Sequence, residues 1–346
     1  MTRHIPAFES NPVLFGHAQT PRLIAFELEG DDQVRAFERD ADGSIRSALQ
    51  PFRPFAWLAS TNLLAGWGGS VEVEALQGSG HYRYLASFEG WSEALQARAH
   101  LQRFAQRPAS GEPSPFLFLA DPIQQALTLS GQTHFLTLPF SELHRMQIAA
   151  AAYCSGEGVQ PDPARPEDRL TAIALADSTG WEEVLSGTEL SEREMLSEMM
   201  RLIIERDPDV IEGHDLFRLT LGYLAVRARR NRVQLLLGRG GGPLRGYSSR
   251  MQIAERTIAY RRYEVFGRHL LDTWLQAQQY DVTSRELEGY GLRELADHFG
   301  LPGADREPLA PVEAARCFDR DPATLLQSVR DDVRETRTLG ELLGRS

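Results

Sequence analysis

The residues of this chain that could hold a divalent cation are aspartates: Asp215, Asp272, Asp331 and Asp332. If they converged, they could support metal-assisted hydrolysis from a single-metal site, because hard cations take oxygen ligands and lower the pKa of bound water. Other chemistries find less support. The histidines show no HxH or HExxH spacing, and Cys154 and Cys317 lie far apart with no CxxC pair, so neither a zinc hydrolase nor a structural zinc is expected. The glycine run Gly238-Arg239-Gly240-Gly241-Gly242-Pro243 lacks the Gly-Lys-Ser/Thr that a phosphate-cradling loop needs, and is expected to be a flexible hairpin tip. Arg227, Arg229, Arg230 and Arg232 cluster where a helix should end. They read either as cations at the negative end of a helix dipole or as a phosphate-contacting patch.

The elements that must position these groups change character along the chain. Up to about residue 143 the pattern is β-rich. Leu23–Leu28 and Tyr82–Phe88 are strand candidates, and Val34–Glu38 and Ile45–Leu49 flank an Asp42-Gly43 hairpin turn. Ser92–Phe104 has helical spacing with a serine cap, and Phe116–Leu119 is a short apolar strand. From residue 144 strands and helices mix: Met146–Tyr153, Leu170–Ala176, Val210–His214 and His269–Trp274 read as strands. Ser191 and Glu194 form a capping box before a helix bearing Met195, Met199, Leu202 and Ile203, and Asp215 is placed to cap the next. Leu292–Phe299, stopped by Gly300, and Pro322–Leu343 are further helices. The expected organisation is a β-rich α+β domain at 1–143 and an α/β domain at 144–346, in keeping with about two domains of roughly 150 residues each.

One combination is specific. Asp207-Pro-Asp-Val-Ile-Glu-Gly-His214, continued by Asp-Leu-Phe-Arg-Leu-Thr-Leu-Gly-Tyr-Leu224, resembles the second exonuclease motif of family B DNA polymerases, DPDVIxGHNxFxFDLPYL. Thr171–Leu185, Arg268–Trp274, Tyr280-Asp-Val and Tyr290–Ala296 resemble neighbouring segments of that domain, and Pro122–Gln125 and Leu143–Gln147 the approach to its first motif. The blocks span about 115–345 in the family's order. The resemblance implies an RNase H-like 3′–5′ exonuclease domain behind the family's amino-terminal domain. No Ser-Leu-Tyr-Pro-Ser or Asp-Thr-Asp of a polymerase palm occurs in the chain.

The resemblance also shows what is missing. The family's exonuclease holds two metal ions roughly 3.5–4 Å apart. Its carboxylates come from Asp-x-Glu in motif one, Asp in motif two and Tyr-x3-Asp in motif three. Here Ala149 and Ala151 stand at the Asp and Glu, Thr220 at the second-motif Asp, and Ser328 at the tyrosine; only Asp332 matches a metal ligand. Gly222 replaces the usual proline and Asp215 the usual asparagine. Replacements at 220 and 328 alongside the two alanines point to natural degeneration rather than deliberate silencing. The implied function is a catalytically silent exonuclease-like protein that binds DNA, single-stranded or at a primer end, or a replication or repair partner. The alternatives are an active metal-dependent exonuclease with a rearranged carboxylate site, and a structural subunit of a split polymerase. Nucleic-acid contacts would fall to Asp215, Phe217, Arg218, Arg227 and Arg230. No cofactor is expected, with Mg or Mn needed only for residual activity at Asp332.

Composition bounds these readings. The net charge is −11, which disfavours an extensive non-specific DNA surface, and all 37 basic residues are arginine. Any phosphate contact would therefore use a planar guanidinium fork. No run approaches the ~18 apolar residues of a membrane span, and the start MTRHIPAFESNP has no signal-peptide core, so a reducing cytoplasmic location without membrane attachment is expected.

Overall fold

The computed structural model describes residues 18, 20–104, 113–156, 160–302 and 306–344. It divides into two compact units, Met1–Leu138 and Pro139–Ser346.

In the first unit, β1 (Leu23–Glu29), β2 (Gln33–Arg39) and β3 (Ile45–Pro51) form an antiparallel meander. The β2–β3 turn is the expected Asp42-Gly43 hairpin. Gly43 sits at φ 86°, a left-handed value that glycine takes without strain, and Asp42 accepts from the Ser44 amide at 2.9 Å. A second sheet has the order β5-β6-β4-β7, from β4 (Phe55–Leu58), β5 (Glu72–Ala75), β6 (Tyr84–Ser87) and β7 (Phe116–Leu117). Helix α1 (Trp91–Phe104) lays Ala94, Ala97 and Leu101 against Ala56, Leu58, Ala86 and Phe88. Ser92 does not cap it. The helix starts one residue earlier, and the Asp31 carboxylate, from the β1–β2 turn, accepts from both the Ser92 amide (2.8 Å) and hydroxyl (2.7 Å). Helix α2 (Pro122–Ser130) is opened by Asp121, which accepts from the Ile123 amide at 2.8 Å.

The second unit is built on five strands: β8 (Arg145–Ala152), β9 (Leu170–Asp177), β10 (Glu182–Ser186), β11 (Val210–Gly213) and β14 (His269–Asp272). Their spatial order is β10-β9-β8-β11-β14. The first three are antiparallel; β11 runs parallel to both β8 and β14. This is the mixed α/β sheet expected from the motif order. Alternation along β8 and β9 sorts side chains to two faces. Met146, Ile148, Ile173 and Leu175 face helix α3 (Glu192–Arg206), which brings Met195, Met199 and Ile203 to them. Ser191 and Glu194 make the full capping box at its start. The opposite face, Ala172, Ala174 and Ala176, is made of small side chains and receives Leu325, Val329 and Val333 of α8 (Pro322–Leu343). Each of those three buried residues contributes roughly 1.5–3 kcal/mol.

Between β11 and β14 the chain makes a π-helical turn (Leu216–Thr220), α4 (Leu221–Arg230) and a hairpin of β12 (Arg245–Ile253) and β13 (Arg256–Glu264). Beyond β14 come α5 (Thr273–Ser284), α6 (Leu292–Phe299, ended by Gly300) and α7 (Pro311–Arg320). The glycine run is not a flexible tip. Gly238–Gly242 wraps the buried Arg239, whose guanidinium donates to Asp207 (2.9 Å), Asp209 (2.8 Å) and the Pro208 carbonyl (3.2 Å). Gly240 and Gly241 take φ of 65° and 77°, so the run serves a tight backbone path around a buried cation. Among the described residues no helix is long and apolar enough to cross a membrane.

Candidate functional site

Strand β8 points Arg145, Gln147, Ala149 and Ala151 toward α8, which is the face the family's first motif would use for metal. Ala149 and Ala151 are half-buried, and their methyl groups join the apolar cluster around Phe318, Val329 and Val333. Where two carboxylates would project, the protein has continued its hydrophobic core. Thr220 closes the π-helical turn and precedes α4 without making a side-chain cap. Across on α8, Asp332 is held by Arg306 at 2.5 Å. The same guanidinium donates to Ser328 (2.7 Å) and reaches Glu335 (3.3 Å), which Arg293 also binds at 2.5 Å. Arg306 therefore engages both third-motif positions, 328 and 332. A monovalent guanidinium, fixed to the chain, already compensates the one retained carboxylate.

The four aspartates do not converge. Asp331 pairs with Arg334 (3.3 Å) and Gln327 (2.8 Å) beside Asp332. Asp215 and Asp272 belong to the carboxyl ends of β11 and β14. Asp272 caps α5 through the Trp274 amide (3.0 Å) and accepts the Phe217 amide (3.0 Å); burial pushes its carboxyl up to about 6. Asp215 does not cap a helix. It takes φ 54°, a left-handed conformation that Asn and Asp tolerate, and gives its carboxylate to the Arg218 guanidinium at 2.9 and 3.0 Å. Among the described residues no three His, Cys, Asp or Glu side chains are grouped to hold a metal ion. Asp331 and Asp332 thus lie together on α8 and Asp215 and Asp272 at the ends of β11 and β14, each already engaged within the chain. The two-metal site of the family does not fit, since its donor set is reduced to a carboxylate already paired with arginine.

The side chains expected to meet nucleic acid divide in two. Phe217 is buried and packs on Tyr260 with ring centroids 5.6 Å apart. Arg227 is buried and its fork is used within the chain: Glu192 at 2.6 and 2.8 Å, and the Arg165 carbonyl at 2.6 Å. Neither can reach a phosphate, and the pairing of Asp215 with Arg218 removes it from that role as well. Arg218 is exposed and stacks over Trp274 at 4.8 Å; Arg230 is exposed and donates to the Ala164 carbonyl at 2.7 Å. His214 is neutral: Nε2 must donate to the Tyr290 carbonyl (2.9 Å), so Nδ1 accepts from Thr273 (3.0 Å), and burial pushes its pKa down to about 4.

Two groups on the metal-facing side carry no sequence motif. Arg306 is one. The other is Glu212, fully buried beside Gln147 in the β8–β11 register, accepting from Arg145 (2.6 Å) and Gln147 (2.5 Å). Gly340 of α8 allows this: a Cβ there would lie 2.5 Å from the Glu212 carboxylate. The one signal for Glu212 was a charged residue inside an apolar strand, in the run Val-Ile-Glu-Gly.

Comparison with known proteins agrees with this architecture. The family model described as DNA polymerase family B, exonuclease domain, matches residues 125–295. DNA polymerase 2 of Aeropyrum pernix is 28% identical over 229 residues, which cover 63% of this chain and 26% of that protein. The structure of the family B DNA polymerase from the hyperthermophilic archaeon Pyrobaculum calidifontis superposes with a TM-score of 0.64 at 20% identity, covering 92% of this chain and 44% of that one. The chain thus spans well under two thirds of either relative. Motif order, sheet topology and these similarities agree on a segment related to the exonuclease domain of DNA polymerase family B over residues 125–295, in a chain whose fold resembles that of a family B polymerase.

Proposed function

We propose that this protein is a catalytically silent exonuclease domain that binds DNA without cutting it, in replication or repair. The observation that carries this reading is the state of the metal face: two alanines built into the apolar core, Thr220 at the second-motif carboxylate position, and Asp332 held by Arg306. Two divalent ions placed close together need several carboxylates to offset their repulsion, and one neutralised aspartate does not supply them. DNA as the ligand is supported by the β12–β13 ribbon. It exposes Arg245, Arg250, Arg256 and Arg262 against Glu255 and Glu264, a local excess of positive charge in a chain of net charge −11. A two-stranded arginine-bearing ribbon can follow a phosphate backbone, and the exposed Arg218 and Arg230 would add to it.

The test is a 5′-labelled primer–template with a 3′ mismatch, incubated with Mg²⁺ or Mn²⁺ and resolved on a denaturing gel. The wild-type primer stays intact. The combination Ala149→Asp, Ala151→Glu, Thr220→Asp and Arg306→Met produces stepwise shortening. Shortening by the wild type that disappears in Asp332→Ala overturns the silent assignment. In parallel, a fluorescent primer–template binds with an affinity that falls with salt, and Arg250→Glu/Arg256→Glu/Arg262→Glu flattens that salt dependence. Salt-independent failure to bind removes DNA as the ligand.

A further inference from the structure

Beside the base of the hairpin lies an open groove of about 760 Å³ between α4 and the start of β12. Val233, Leu235 and Leu244 contribute to its apolar lining, and Arg229, Arg232 and Arg261 bring three guanidiniums to it. The helix dipole accounts for basic residues at the end of α4, but not for how they divide. Arg227 and Arg230 turn toward the 163–166 loop and are bonded there. Arg229 and Arg232 line the groove and form no ion pair or side-chain hydrogen bond among the described residues. Arg232 takes φ 57°, and the Val233 amide bonds back to the Ala228 carbonyl at 2.8 Å, so the chain turns sharply to put Arg232 at this position. Arg261 donates to the Gly246 carbonyl at 2.9 Å and is free of carboxylates among the described residues.

We infer that this groove docks an acidic amphipathic peptide segment of a partner protein. Its aliphatic side chains would rest on the apolar lining and its carboxylates on the three arginines. Charge selects this occupant: the lining presents uncompensated positive charge on a protein of net charge −11, so an acidic segment is repelled elsewhere and attracted here. The lining also argues against single-stranded nucleic acid. Bases bind such grooves by stacking on aromatic faces, and the ring among the lining residues, Tyr263, is buried. This site is separate from the outer ribbon arginines assigned to DNA, so either assignment can fail alone.

The probe is a fluorescein-labelled peptide of ~12 residues, about three helical turns, with leucines on one face and Asp and Glu on the other. Anisotropy is measured with the full chain, beside an Asn/Gln version of the peptide and a dT12 oligonucleotide. The acidic peptide binds, its amide version does not, and Arg229→Glu/Arg232→Glu weakens binding by at least about tenfold. Arg229→Lys/Arg232→Lys keeps it within about threefold, since rim contacts of this kind need charge more than the planar fork. Because both arginines are exposed, thermal melting confirms that the variants fold. Failure of the acidic peptide to bind the wild type overturns the inference. So does dT12 displacing the peptide with the same dependence on Arg229 and Arg232.

Discussion

Glu212 should make the stability of this protein fall as pH rises from acid to neutral. Its carboxylate is fully buried, and burial pushes its pKa from 4.5 up to about 7 against the opposing pull of Arg145. The folded protein therefore holds a proton between those values that the unfolded chain releases. Stability is lost progressively across that window and the loss levels off above it. A carboxyl raised from 4.5 to about 7 removes roughly 3 kcal/mol between those limits. Glu212→Gln keeps the shape, leaves an acceptor for Arg145 and abolishes the titration. Urea unfolding followed by tryptophan fluorescence, at pH 4.5 to 8, should show the variant gaining on the wild type by roughly 3 kcal/mol over that range. Two results refute the reasoning. Parallel profiles mean Glu212 titrates alike in both states. A wild type that gains on the variant with rising pH means the Arg145 ion pair outweighs burial.

Other perturbations follow from the same packing. Arg227→Met leaves Glu192 buried without its cation and should cost about 3–5 kcal/mol in denaturant unfolding; a loss below about 1 kcal/mol would show the pair to be dispensable. Arg306→Met should cost less, about 1–2 kcal/mol, because Glu335 keeps Arg293 and the Asp332 side chain is 38% exposed to water. Asp272→Ala strips the acceptor from the Phe217 and Trp274 amides and should lower stability by about 2–4 kcal/mol, with faster amide exchange at both positions as the direct readout. Gly340→Ala drives a methyl against Glu212 and should cost about 1–3 kcal/mol, whereas the same change at the exposed Gly68→Ala meets open space and leaves the buried pair untouched.

The framework of the second unit was legible because its signals are local. The Ser191–Glu194 box, the apolar run Leu170–Ala176 and the stripe Leu325-Val329-Val333 each announce an element on their own. The β12–β13 hairpin was not read. Its strands carry arginine, serine and tyrosine on much of both faces, so no apolar alternation marks them. The glycine run misled for a related reason: glycine permits both a loose tip and a tight wrap, and the choice lies with Asp207 and Asp209, some thirty residues earlier. Motif comparison named Ala149, Ala151 and Thr220 as positions without the family's carboxylates. It could not show that Arg306 had taken the third-motif aspartate, because that pairing joins positions 26 apart through tertiary packing alone.

The Arg306 contact also bears on any attempt to build a metal face here. A guanidinium is seated between Ser328, Asp332 and Glu335, and the methyls of Ala149 and Ala151 pack on the cluster around Val329 and Val333, so each single change is harmful by itself. A carboxylate introduced at 149 alone would place an unpaired charge on that cluster, and loss of Arg306 alone would unpair Asp332. The contact works as an interlock, in which no part can be exchanged until all are.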